Sequence, residues 1–102
     1  MKNLLIVGAS RGIGYALANQ VKDDFRVWTA GRRDPQIEGA NHIDWDASEG
    51  SLQASFLHVT LDGLVYCPGS MRLQTFTKLK VSEFEYDLNI NLMGAVRAFR
   101  AA

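Results

Sequence analysis

Residues 4–14 read LLIVGASRGIG: an apolar run closed by one glycine and followed by two more. The run at 4–7 is continuous, as in a parallel strand covered on both faces. It stops at Gly8, and Gly12 and Gly14 follow, with Ser10 and Arg11 between. From Gly12 the apolar period lengthens, so that Ile13, Ala16, Leu17 and Val21 share one helical stripe. A buried strand that turns into a helix within a few residues needs glycine wherever backbone is crowded. Gly8 suits the tight turn. Gly12 allows close approach of a ligand or a backbone angle closed to other residues, and Gly14 lets helix and strand pack closely.

Such a turn ends at a helix amino terminus, where unpaired N–H groups and the positive end of the helix dipole favour a phosphate. The glycines therefore make room for a pyrophosphate. Rival motifs fail by position. A P-loop needs Gly-Lys-Ser/Thr where Gly12-Ile13-Gly14 stands, and the commoner dinucleotide pattern needs glycine at Ser10.

Outward from the turn, residues 25–30 read as a second strand, and Gly31-Arg32-Arg33-Asp34-Pro35 as a turn with a dense charge cluster. Residues 40–44 read as a third strand, and a short helix opens at Asp46 or Ser48 and runs to about 57. Residues 61–67 form a fourth strand closed by Pro68-Gly69. After a loop to about 81, Ser82 and Glu85 form a capping-box pattern for a last helix. Its apolar stripe is Phe84, Leu88, Leu92, Ala95, Val96 and Phe99. This order predicts an α/β Rossmann-type fold: a parallel sheet with crossover helices, strand order 3-2-1-4, and a ligand across the carboxyl ends of strands one and four. The link between strands two and three is too short for a crossover helix, so a loop or single turn is expected.

Composition agrees with one globular domain or part of one. The chain has 102 residues, 47% of them hydrophobic, and 11 basic against 11 acidic side chains. A formal charge of zero argues against a nucleic-acid partner, which usually needs a basic face. No stretch approaches the roughly 20 apolar residues of a membrane span, and the run at 4–7 is too short for a signal peptide. Cys67 is the only cysteine, which excludes an intrachain disulfide and leads us to expect a reducing, cytoplasmic setting. His42 and His58 read as surface histidines, and no metal-ligand spacing is present.

The Gly-x-x-x-Gly-x-Gly turn of Gly8, Gly12 and Gly14 resembles that of the ordinary, non-extended short-chain dehydrogenases/reductases. The resemblance extends over residues 1–102 and implies the amino-terminal, NAD(P)-binding portion of such an enzyme. Gly8, Ser10, Arg11, Gly12, Ile13 and Gly14 then hold the cofactor's phosphates. An NAD-preferring site places a carboxylate at the tip of the second strand, where this chain has Arg32 and Arg33. Together with Arg11 they suit a 2′-phosphate, which points to NADP over NAD. Adjacent arginines are also common as plain solvated charge. By the resemblance, Asp44 bonds the adenine amino group and Trp45 lines that pocket; from the residues alone, Asp44 is equally a cap or turn residue. Tyr66-Cys67-Pro68-Gly69 stands where relatives often have Asn-Asn-Ala-Gly, so only backbone approach at Gly69 carries over. Cys67 reads as a small apolar residue with no base beside it.

Asn91 interrupts the last stripe between Leu88 and Leu92, and a buried amide calls for partners. An asparagine tied to a loop carbonyl accounts for it. Asn91-Leu92-Met93-Gly94 also resembles the family's Asn-x-x-Gly segment, in which the asparagine organises a water leading to the catalytic lysine; this makes Asn91 the one candidate catalytic residue. The family moves a hydride between nicotinamide and a carbonyl or alcohol carbon, using Tyr-x-x-x-Lys and a serine. Here Tyr15 is followed four residues on by Asn19, Tyr66 by Ser70 and Tyr86 by Ile90, so no such pair exists. The stripe still runs at Phe99 and Ala102 without a glycine cap. We therefore expect a cofactor-binding part of a longer enzyme, inactive alone, prone to self-association, and meeting a partner subunit through residues 82–102. Rival expectations are a non-catalytic nucleotide-binding sensor or scaffold, and, less well matched at Ser10, a methyltransferase-type module.

Overall fold

The structure, a computed structural model, describes residues 1–50, 52, 59–69 and 74–101. Its strands are β1 (Asn3–Val7), β2 (Arg26–Gly31), β3 (Asn41–Asp44) and β4 (Gly63–Tyr66), all parallel and ordered β3-β2-β1-β4 as expected. Helix α1 spans Gly12–Val21 between β1 and β2. The register aligns Val7 with both Ala30 and Tyr66, and Gly31 with Asp44. The carboxyl ends of all four strands thus share one rim.

The continuous apolar run of β1 has its reason in two cores. Leu5 and Val7 join Ala30, Ile43, Trp45, Leu52 and Ala98 on one face of the sheet. Ile6 joins Ala9, Ala18, Val27 and Ile37 on the other, under α1. All three β1 side chains are fully buried, worth roughly 1.5–3 kcal/mol each relative to exposure. Backbone bonds extend the β1–β4 ladder at both ends, from Asp62 to Asn3 at 2.8 Å and from Cys67 to Val7 at 2.9 Å.

The link from β2 to β3 holds no helix, as expected; Asp34 accepts a hydrogen bond from the Gln36 N–H at 2.8 Å, and Gln36 sits at φ 56°. Residues 46–50 form a turn closed by Glu49 N–H on the Asp46 carbonyl at 3.0 Å. The remainder of the helix expected from there to about 57, and His58, lie outside the described residues.

The last helix departs from expectation in three ways. It begins earlier, as α2 (Val81–Leu88): Glu83 accepts from the Lys80 N–H at 3.3 Å, while Ser82 already lies inside the first turn and cannot cap it. It is interrupted by a π turn at Asn89–Met93, where the Gly94 N–H reaches back to the Asn89 carbonyl, and resumes as α3 (Gly94–Ala101). Third, the side facing the sheet carries Ile90, Gly94 and Ala98, whereas Leu88, Leu92, Val96 and Phe99 of the expected core stripe are exposed. The physical reason is clearance. A Cβ on Gly94 would stand 2.8 Å from the Ala47 carbonyl oxygen and run into the Tyr66 hydroxyl, so at that position the side facing the sheet admits no side chain.

Candidate functional site

A cleft of about 660 Å³ opens along the shared rim, between the β1–α1 turn, the tips of β2 and β3, and the residues after β4. One wall is backbone. Gly8 (φ 81°) donates to the Ala30 carbonyl at 2.9 Å, and a Cβ on it would stand 2.9 Å from Pro68. A Cβ on Gly14 would run into the Gly8 carbonyl, which is why α1 can start so close to the strand. Gly12 (φ 65°) has nothing within 4 Å of its Cβ position, so its glycine serves the left-handed angle and leaves open space. Arg11 is extended and supplies no side-chain cap to α1. An anion such as pyrophosphate fits an uncapped amino end facing open space. Exposed Ser10, Arg11 and Ile13 line the same wall.

Arg32 and Arg33, both exposed, line the cleft at the β2 tip. Next to them the turn after β3 contributes Trp45, Asp46 and Ala47. Trp45 is 9% exposed and its backbone N–H donates to the Gly31 carbonyl at 3.0 Å. The structure does not bring Asp44 into the cleft lining: its exposed carboxylate lies 3.3 Å from His42 Nε2. His42 is not a surface histidine, because strand pairing sets it beside buried Thr29, with Nδ1 2.7 Å from Thr29 Oγ1. The carboxylate in the cleft is Asp46. Its Oδ1 accepts from the Ser48 hydroxyl (2.6 Å) and N–H (2.9 Å). Those two bonds, and more weakly the charge of Arg32, hold its carboxyl below the ordinary value despite partial burial.

The outer side of this turn is held by the last helix. Arg97 donates from Nη2 to the Ala47 carbonyl and to Asn89 Oδ1, each at 2.6 Å, and Asn89 donates from Nδ2 to the Ser48 carbonyl at 2.6 Å. Asn89 thus bonds a loop carbonyl of the kind considered for Asn91. Asn91 itself is exposed, with its Oδ1 3.4 Å from a Cβ placed on Gly69, which lines the cleft after β4. Tyr66, one of the three unmatched residues of that segment, donates its hydroxyl to the Ile90 carbonyl at 2.6 Å within the π turn. Burial raises its pKa, with Arg97 opposing. Burial also raises the Cys67 thiol, and Cys67 packs with the Ile6 core, consistent with an inert apolar residue.

Sequence reasoning missed Asp46, Tyr66, Asn89 and Arg97. Only Asp46-x-Ser48 carried a local signal, the spacing of an Asx turn. Among the described residues there is no cluster able to hold a metal, and no helix long and apolar enough to cross a membrane.

No family model and no curated protein matches the sequence. Solved structures do. Aldohexose dehydrogenase of Thermoplasma acidophilum is 26% identical, with a TM-score of 0.87 over 99% of this chain and 42% of its own. The 3-oxoacyl (acyl-carrier-protein) reductase of Agrobacterium tumefaciens C58, with NADP bound, is 21% identical (TM-score 0.82, 99% of this chain, 46% of its own). A 4-hydroxyisoleucine dehydrogenase, with NADH and succinate, is 19% identical (TM-score 0.83, 96% of this chain, 49% of its own). The chain therefore has the fold of the short-chain dehydrogenases/reductases, a name other such neighbours carry. It spans about half the length of these structures or less.

Proposed function

We propose that this chain is the NAD(P)-binding part, over residues 1–102, of an NADP-preferring oxidoreductase of the short-chain dehydrogenase/reductase type. The observation that carries the reading is the cleft wall made by Gly8, Gly12 and Gly14 ahead of an uncapped helix, set beside the Arg32–Arg33 tip. Ser10, Arg11, Gly12, Ile13 and Gly14 hold the pyrophosphate, Arg32 and Arg33 the 2′-phosphate, Trp45 and Asp46 the adenine side, and Gly69 the nicotinamide side. When bound, the nicotinamide supplies hydride exchange with a carbonyl or alcohol carbon of a small-molecule substrate. Asn91, beside Gly69, orders water for proton transfer. The general acid/base tyrosine and its lysine come from elsewhere in the protein, and the chain alone is inactive. The exposed face of Leu88, Leu92, Val96 and Phe99 meets the same face of a second subunit in a dimer or tetramer.

Titration of the intact protein with NADPH and NADH tests the cofactor reading. A charge-assisted hydrogen bond is worth about 1.5–3 kcal/mol, so Arg32→Ala is expected to weaken NADPH roughly 10- to 100-fold. NADH should be nearly unaffected, and equal loss for both cofactors sinks the NADP assignment. Asn91→Ala is expected to lower turnover more than cofactor affinity; a lower melting temperature with unchanged turnover per folded molecule makes it merely structural.

A further inference from the structure

We propose that Arg97 and Asn89 are positioning residues for the adenosine end of the cofactor, an inference that rests on the dinucleotide reading above. The wall formed by Trp45, Asp46 and Ala47 belongs to no regular element and follows a strand of four residues. Its first residue is tied to the sheet, by the Trp45 backbone N–H on the Gly31 carbonyl, but beyond it the inner side is held only locally, by the Asp46–Ser48 bonds. Its outer side hangs on the helix: two consecutive carbonyls, Ala47 and Ser48, take hydrogen bonds from side chains 50 and 41 residues away. Asn89 and Arg97 also bond each other, so the two tethers form one clamp. Gly94 lets α3 come near enough for the clamp to close, since a Cβ there would stand 2.8 Å from the Ala47 oxygen.

A guanidinium beside two uncharged acceptors gains no carboxylate partner from them. Both Arg97 and Asn89 therefore spend their donors on shape, fixing the turn that carries Asp46 beside Arg32. In strand order, this turn lies on the β2–β3 side of the glycine wall, away from Gly69. A loosened clamp should therefore weaken the adenosine half of the ligand, not the fold as a whole.

The test is calorimetric titration of the intact protein with adenosine 2′,5′-bisphosphate, reading Kd and stoichiometry separately. Arg97→Met is expected to raise Kd about tenfold at unchanged stoichiometry, with Arg97→Lys recovering part of the loss. Asn89→Ala, which deletes one tether and leaves Arg97 on Ala47, is expected to raise Kd several-fold and serves if Arg97→Met does not fold. A merely structural role would instead lower stoichiometry and melting temperature while the competent molecules keep the original Kd. That outcome in both variants, or unchanged binding in both, overturns the clamp alone. Failure of the unaltered protein to bind the bisphosphate overturns the NADP reading of the site and the clamp with it.

Discussion

The two walls of the cleft are built by opposite means. The β1–α1 wall is made of backbone, and its shape comes from side chains that are missing: at Gly8 and Gly14 there is no room for a methyl group. The wall after β3 is made of a turn that would be loose on its own and is braced by long polar side chains from the last helix. A wall shaped by clearance tolerates no addition, whereas a braced wall tolerates graded loss. Substitutions on the two sides should therefore differ in size and in kind.

The largest effect is expected at Gly14. Gly14→Ala drives a methyl group into the Gly8 carbonyl, and because the obstacle is backbone it cannot move aside. The cost should be about 3 kcal/mol or more, at the upper end of overpacking penalties, read as a shift in the denaturant midpoint. A loss under about 1 kcal/mol would break the contrast between the walls.

Smaller is Tyr66→Phe, which keeps the ring and removes the hydroxyl that donates to the Ile90 carbonyl. About 1–2 kcal/mol of stability should go, the worth of a bond plus a carbonyl left short. Its pH dependence has a definite sign. The folded-state pKa of Tyr66 is raised, so its contribution is complete below the ordinary phenol value and is lost as pH rises through the higher folded one. Tyr66→Phe should accordingly flatten the fall in stability above roughly pH 10, where free phenols begin to ionise. An unchanged alkaline slope would mean that the hydroxyl is not held as described.

The smallest effect on folding is expected on the outer face of the helix. Val96→Lys replaces a 41% exposed side chain and should change monomer stability by no more than about 0.5 kcal/mol. Sedimentation should nevertheless show a shift toward smaller species. If assembly is unchanged, the outer face is not the contact.

The same contrast sets how much could be read in advance. The glycine wall was legible because its causes are local: the apolar run, the spacing of Gly8, Gly12 and Gly14, and the change of period all lie within a few residues. Strand order followed from the element sequence, and the Arg32–Arg33 tip followed from strand two. The braced wall was not legible, since Asn89 and Arg97 act on a turn 41 and 50 residues earlier. Periodicity located an apolar stripe at Leu88, Leu92, Val96 and Phe99, but it reports that a face exists, not which way it points. Here clearance beside Tyr66 and Ala47 turned the small residues inward.

The π turn at Asn89–Met93 has a consequence for chain length. A wide turn takes up one more residue than a regular one and leaves the helical ladder one donor short at that point. Deleting a single residue there would let the helix close into ordinary turns without rotating its two ends relative to each other. Gly94, Arg97 and Ala98 would keep their bearings, and the acceptor of the Tyr66 hydroxyl at Ile90 would be drawn back into the ladder. At this place in the last helix a one-residue deletion could be absorbed without exchanging its inner and outer faces.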